Sequence, residues 1–284
     1  MQLKTAFLSL ILLVCPWALC YGQLSFLGVN GERGYSAVRG IYKWDLDNNF
    51  ILTPSYEFYR MSDNKDVEKT GATYRYGLKT SYDFSDAWRV YTQFFWQPSA
   101  VGYRAFSGYG AVVWQPFYRL NFVKNPFVEA RIGVARYKTW VDRNGMVLAR
   151  PFHETEINSM LRAGAELGHC QLQASWHKVL QYKNRVPASV SFSWADIPFM
   201  TAVVQGFLQN ASALRVSYPT RLVTPFVSAA RYEYASSAHP STALGAGLNV
   251  HYGETTFSGG VEVFEPRREE NRKTFFSVSV EVDF

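Results

Sequence analysis

The chain has 284 residues, of which 48% are hydrophobic, 17% aromatic and 18% charged, and its formal net charge is +6. This composition excludes an intrinsically disordered chain and a collagen-like fibre. The 29 lysines and arginines are spread among 23 acids, which argues against a nucleic-acid partner.

The first 22 residues predict a cleaved secretory signal peptide. Lys4 precedes an apolar run over 6–14, and small residues follow, which places cleavage before Gln23. The run is too short for a permanent membrane anchor. A lipoprotein leader fits poorly, because the residues directly before Cys15 and Cys20 are valine and leucine.

Residues 23–284 are predicted to form one domain. Removal of the signal peptide takes Lys4 with it and leaves a net charge of +5. Cys170 then remains alone, so no disulfide is expected within the mature chain. Neither a linker nor a solenoid repeat is evident in this part of the sequence.

Apolar positions along the mature chain recur with period 2, which is typical of strands with one polar and one apolar face. In 72–82, six mostly aromatic or apolar positions alternate with Thr73, Arg75, Gly77, Lys79 and Ser81. Comparable segments predict strands over 24–30, 35–45, 50–60, 72–82, 88–97, 106–117, 126–138, 157–167, 170–177, 187–194, 199–218, 226–234, 243–252, 256–264 and 276–284.

Aromatic residues concentrate near the ends of these segments, for example Trp44, Trp88, Trp96 and Phe276. Amphipathic rings at strand ends are typical of the two girdles of a membrane barrel. Strands in lipid must also pair on both edges, because an unpaired backbone N–H or C=O in hydrocarbon costs several kcal/mol. The pattern therefore predicts an all-β, closed transmembrane antiparallel β-barrel.

At this point the chain resembles bacterial outer-membrane β-barrel proteins. The resemblance is carried by the leader, by two-faced strands over residues 35–284 and by a final strand that ends at Phe284. It implies residence in the outer membrane, contact with outer-membrane lipids, and recognition by the barrel-assembly machinery. In that class the closing strand is the insertion signal, which implies this role for Val280, Val282 and Phe284.

The links between strands alternate between long polar and short ones. The long links, expected outside the cell, are 61–70, 98–105, 139–155, 182–186, 235–241 and 265–272. The short links, expected in the periplasm, lie near 45–48, 84–87, 119–125, 168–170, 195–198, 218–221 and 252–255.

The strand count depends on two segments. Accepting 24–30 as a first strand and splitting 199–218 at Asn210 gives 16 strands, and other readings give 14 or 12. Phe199, Val203, Phe207 and Asn210 also suit a helix that plugs the lumen, but strands are the favoured interpretation.

The polar parity of the strands predicts the residues that line the barrel interior. The charged ones are Arg39, Lys43, Glu57, Arg75, Lys79, Arg89, Glu129, Arg131, Arg162, Glu166, Arg215, Arg231, Glu233, Glu262 and Glu281, with Asp83 and Asp283. The neutral ones are Tyr59, Tyr91, Gln93, Gln171, Gln173 and His177. Cations and anions nearly balance, which predicts either weak ion selectivity or a lumen filled by ion pairs.

The sequence favours a porin-like passive channel for small solutes. A structural, docking or secretion-associated barrel with a packed lumen is the alternative. An outer-membrane hydrolase is the least favoured function; it would need Ser241 with His239 or His153, and no such convergence follows from the sequence. No metal, phosphate-loop or other cofactor motif is found, so no cofactor is expected.

Overall fold

The structure is a computed structural model. It describes residues 22–31, 36–47, 49–60, 73–100, 103–116, 123–141, 147–186, 198–200, 207–235, 237–265 and 272–284. The expected signal peptide, apart from Gly22, therefore lies outside the described residues. None of the described segments is a helix long and apolar enough to cross a membrane.

Fourteen antiparallel strands close into one barrel in sequence order. They are β1 (Gly22–Gly31), β2 (Ser36–Asp47), β3 (Phe50–Arg60), β4 (Thr73–Ser85), β5 (Trp88–Ala100), β6 (Tyr103–Trp114), β7 (Val123–Val141), β8 (Val147–Leu167), β9 (Cys170–Tyr182), β10 (Leu208–Ser217), β11 (Val223–Tyr234), β12 (Ser237–Tyr252), β13 (Thr255–Glu265) and β14 (Lys273–Asp283). β1 pairs with both β2 and β14, which closes the sheet.

The prediction of an all-β closed barrel is confirmed, including the first strand expected over 24–30. The count of 16 strands is wrong, since the described barrel has 14. β9 pairs directly with β10, Lys178 opposite Asn210, so no strand is inserted between them. The strand expected over 187–194 and the turn near 195–198 fall almost entirely outside the described residues.

The outer face of the barrel is apolar and the inner face is polar. Leu78, Ile132 and Val278 are exposed on the outside, whereas Arg75, Glu129 and their neighbours are buried inside. This arrangement is the reverse of a soluble protein and is the one that a bilayer requires. Trp88 pairs with Trp114 at one rim, with ring centroids 6.2 Å apart. Tyr76 stacks on Trp96 nearer the other rim, at 5.7 Å.

The two ends of the barrel differ in their links. Two-residue turns join β8 to β9 and β12 to β13, and each contains a glycine at positive φ, Gly168 and Gly253. At the opposite end, β7 and β8 continue as a paired hairpin up to Val141 and Val147. Most of the loop expected over 139–155 is therefore a pair of strand extensions.

Candidate functional site

The inner face of the barrel is the candidate site. Strand register and burial place most of the predicted lining residues there: Arg39, Lys43, Glu57, Arg75, Lys79, Asp83, Arg89, Tyr91, Gln93, Glu129, Arg131, Arg162, Glu166, Gln171, Gln173, His177, Arg215, Glu262, Glu281 and Asp283. Nothing about the side chain of Tyr59 is described.

Arg231 and Glu233 do not face the interior, which corrects their predicted inward position. In β11 the buried positions are Ala230, Tyr232 and Tyr234, so the residues between them point outward. Arg231 and Glu233 instead form an exposed ion pair with each other, at 3.2 Å. Alternation predicts inward charges along the whole strand, but at the rim of a barrel the outer face is polar too.

Glu57 is the centre of a charge cluster on three neighbouring strands. Its two carboxylate oxygens bind the side chains of Arg39 on β2 and Arg75 on β4, the latter at 2.6 Å. Glu57 and Arg75 are buried, and Arg75 also lies over the ring of Phe95, 4.1 Å from its centroid. Two cations therefore share one carboxylate.

A second cluster lies around Glu129 on β7. Tyr91 on β5 donates its hydroxyl proton to Glu129, and Arg162 on β8 is 3.7 Å from the same carboxylate. Tyr91 and Glu129 lie two strands apart, and the small side chain of Ala111 on the intervening strand lets them meet. Arg162 also donates to Gln173 at 3.0 Å.

Inward cations repeatedly lie over aromatic rings. Distances from the cation to the ring centroid are 4.0 Å for Lys79 over Tyr91, 4.5 Å for Arg131 over Tyr109 and 3.8 Å for Arg215 over Phe226. Such contacts stabilise a partly desolvated cation without neutralising its charge. Within the described part of the chain, none of these three cations has a carboxylate within ion-pair distance.

The sequence did not predict a group of buried polar residues on β8, toward the end of the barrel away from the short turns. Glu154, Glu156 and Asn158 face inward from β8, and all three are fully buried. Glu156 accepts hydrogen bonds from Tyr137 (3.0 Å) and Asn158 (2.9 Å). The sequence alternation continues N-terminal to the predicted strand 157–167. A strand extended to these earlier positions would have predicted Glu154 and Glu156 on the inner face.

The link between β9 and β10 sends aromatic residues into the barrel. Phe199 lies over Arg162 at 5.1 Å, and Phe207 is buried against Tyr137 and Phe152. Residues 198–200 and 207 are not strand, so two strands within 199–218 are wrong and only β10 remains. Phe199 and Phe207 do pack inside the barrel, but the alternative of a helix that plugs the lumen is not found over the described residues 198–200 and 207–210; Val203 lies outside the described residues.

The inner wall formed by β11 to β14 carries several small residues. Ser228, Gly245, Gly260 and Ser277 face inward from β11 to β14. Together with Phe199 they border a cavity of about 310 Å³. Because these side chains are short, they leave space that the long side chains of the other wall do not fill.

The residues considered for hydrolysis do not form a catalytic arrangement with His153. Ser241 is buried and faces inward from β12, where it accepts a hydrogen bond from the hydroxyl of Tyr234 at 3.1 Å. His153 has the outward parity of β8. Over the described residues, no group of three or more His, Cys, Asp or Glu side chains is arranged to hold a metal ion.

Comparison with solved structures finds similar folds over nearly the whole chain. A bacterial polysaccharide outer membrane secretin is 10% identical, and the match covers 94% of this chain and 99% of that one with a TM-score of 0.52. The TodX monoaromatic hydrocarbon channel, in a deltaS2 mutant, is 9% identical over 93% and 90% of the two chains, with a TM-score of 0.53. OccK3 (OpdO) of Pseudomonas aeruginosa is 8% identical over 93% and 94%, with a TM-score of 0.50.

No known protein family matches the sequence, and no curated protein matches it either. Identities near 10% relate folds and leave function open. The closed antiparallel barrel, its apolar outer face and these similarities agree with one another. The chain therefore has the fold of bacterial outer-membrane β-barrel proteins.

Proposed function

We propose that the protein is a porin-like passive channel for small solutes in the bacterial outer membrane. The observation that carries the proposal is the cavity of about 310 Å³ beside Phe199, bordered by serines, glycines and other residues of β11 to β14. A barrel that served only as a scaffold has no need for serines and glycines that face unfilled space. As proposed partners, outer-membrane lipids contact the apolar face, and the barrel-assembly machinery inserts the chain.

Conductance across a planar bilayer tests this function directly. The purified mature chain, residues 23–284, transferred from detergent into the bilayer, is expected to give stepwise current increases of uniform size. The Gly260→Leu variant is expected to lower the size of each step, because its side chain enters the cavity. Its added Cβ has Ser277 Oγ at 3.1 Å as its nearest contact, a flexible side-chain atom.

Gly259→Leu is the matched control, since Gly259 lies next in sequence but faces outward, and a Cβ there meets nothing within 4 Å. Steps of wild-type size are expected from this control. The absence of any steps from correctly folded wild-type protein would contradict the channel function. Equal effects of the two substitutions would show that the cavity is not on the conducting path.

A second candidate is a closed docking or secretion-associated barrel. The packing of Phe207 against Tyr137, Phe152 and Tyr182 inside the barrel favours it, because these rings fill part of the lumen. This candidate predicts a folded barrel that carries no current. The same bilayer measurement therefore separates the two functions.

A further inference from the structure

The middle of the barrel carries more cations than acids on its inner face. Four cations lie at similar heights along the barrel axis, one on each of β4, β7, β8 and β10: Lys79, Arg131, Arg162 and Arg215. Glu129 is the acid among them, and its oxygens are already engaged by Tyr91 and Arg162. This local excess differs from the overall balance of inward charge that the sequence shows.

Several donor groups of these cations have no partner. The Nε atoms of Arg131 and Arg162 are buried and form no hydrogen bond with any described residue. Arg215 lies over Phe226 and has no carboxylate within 4.0 Å in the described chain. An arginine keeps its charge at every accessible pH, so these groups attract an anion permanently.

Arg215 also borders the cavity beside Phe199, together with uncharged hydrogen-bonding side chains. Ser228, Asn249, Ser258 and Ser279 line the same space. Among the described residues, none of these four side chains forms a hydrogen bond to protein. They therefore offer hydroxyl and amide groups to whatever occupies the cavity, which the fixed positive charge of Arg215, paired with Ser228 on the neighbouring strand, also borders.

One acid borders this cavity as well. Glu262 faces inward from β13, is buried, and already takes part in an interaction within the protein. Its presence disfavours a ligand with several negative charges. It is compatible with a ligand that has one carboxylate near Arg215 and polar groups elsewhere.

We propose that this cavity binds small hydroxylated carboxylates, the chemistry of a sugar acid. Arg215 receives the carboxylate, supported by Arg162, which lies over the ring of Phe199, and Ser228, Ser258 and Asn249 receive the hydroxyl groups. Charge-assisted hydrogen bonds to arginine supply the affinity, and the hydroxyl wall supplies the specificity. The inference rests on the proposed function, because the solute must reach the cavity through the lumen.

The test adds glucuronate, glucose or benzoate to wild-type channels in a bilayer and measures the reduction of current. Glucose has the hydroxyl groups alone and benzoate the carboxylate alone. Glucuronate is expected to reach half its effect at a concentration about tenfold lower than either of the others, since it has both groups. Equal concentrations for glucuronate and glucose would overturn the proposal and leave the channel function standing.

Two substitutions test whether glucuronate reduces the current by binding in the cavity. Arg215→Gln is expected to raise the glucuronate concentration for half effect about tenfold. Arg231→Gln removes the same charge from the outer face of the adjacent strand and is expected to change nothing. An equal response of both variants would overturn the assignment of the carboxylate to Arg215.

A second measurement does not depend on current. Glucuronate is expected to raise the unfolding temperature of the detergent-solubilised wild-type protein more than glucose or benzoate does, and to lose this advantage in Arg215→Gln. If the wild-type protein carries no current, the channel function fails, and this measurement alone decides the binding site. Identical unfolding temperatures with all three additives would then overturn the proposal.

Discussion

Glu57 is the carboxylate that compensates two cations in a partly buried cluster on the inner face. It is the shared partner of Arg39 and Arg75, and Arg75 is only 3% exposed. Removal of one member of a buried ion pair leaves the other charge without compensation, which costs far more than the pair contributes when intact. The stability of this cluster on β2 to β4 therefore depends on the carboxylate of Glu57.

The Glu57→Gln variant is expected to lose about 3–5 kcal/mol of unfolding free energy, because Arg75 stays buried and loses the carboxylate of Glu57. Thermal unfolding of the detergent-solubilised barrel measures the loss. Asp83→Asn is the control, since its pair with Arg89 is much more exposed, and it is expected to cost less than about 1 kcal/mol. Similar unfolding temperatures for the two variants would contradict the cluster's structural role.

At the scale of the element, the pairing of β6 with β7 depends on a missing side chain. Gly133 lies opposite Tyr109, and that ring occupies the space where a Cβ would be. The carbonyl oxygen of Gly108 is also only 2.6 Å from that position. The ring of Tyr109 in turn lies beneath Arg131, so the glycine makes room for a cation–aromatic contact on the inner face.

Gly133→Ala is therefore expected to destabilise the barrel by about 1–3 kcal/mol, the usual cost of overpacking. Gly110→Ala is the matched control on β6, because nothing lies within 4 Å of a Cβ there. The urea concentration at the midpoint of unfolding, compared among both variants and the wild type, gives the result. A midpoint for Gly133→Ala equal to that of the control would show that the sheet adjusts freely.

The closing strand supports a second element-scale prediction. β14 pairs with β1 along its length, and Phe284 donates its backbone N–H to Gly22 at 2.8 Å. Val280, Val282 and Phe284 have the outward parity of this strand. Their proposed role as an insertion signal concerns assembly in the cell and not the stability of the finished barrel.

Deletion of Phe284 is expected to reduce the amount of folded barrel in cells severalfold while refolding of the purified chain into detergent proceeds as in the wild type. Heat-sensitive electrophoretic mobility distinguishes folded from unfolded chains in both settings. Asp283→Asn, which changes the preceding inward residue, serves as the control and is expected to assemble normally. An equal loss in cells and in detergent would indicate a purely structural role.

Most elements follow from the alternation of the sequence, because a strand with one lipid face needs an apolar residue at every second position. The same rule failed between β9 and β10. Phe199 and Phe207 are apolar because they pack inside the barrel, and alternation alone does not distinguish this from contact with lipid. These two residues account for one extra strand, within 199–218; the second extra strand is the one predicted over 187–194, and β9 pairs directly with β10, so the count was too high by two.

At the scale of the whole molecule, the inner face and the contacts within one hairpin were predictable, but contacts beyond a hairpin were not. The hairpin about 61–70 predicts Glu57 beside Arg75, which the structure confirms at 2.6 Å, whereas alternation carries no information about contacts that skip a strand. The contact between Tyr91 and Glu129 skips a strand, so it depends on barrel curvature and on the small size of Ala111. The cavity likewise is bordered by Phe199 and Met200, which lie between β9 and β10 in the sequence and which alternation does not place inside the barrel.

The two different ends of the barrel predict its orientation in the membrane. Cys170 is the first residue of β9, is exposed, and lies at the end that also holds Gly22 and Phe284. That end has the short turns, which face the periplasm in outer-membrane barrels. A membrane-impermeant maleimide is therefore expected to leave Cys170 unlabelled on intact cells and to label it after the outer membrane is permeabilised.

The matched control moves the thiol to the opposite end of the same barrel. In a Cys170→Ser, Arg272→Cys variant, the new thiol replaces an exposed residue directly before β14, and it is expected to react on intact cells. The two patterns must be opposite, because Cys170 and Arg272 lie at opposite ends of the strands. Labelling of Cys170 on intact cells, with protection of the thiol at position 272, would invert the orientation while leaving the barrel itself unchanged.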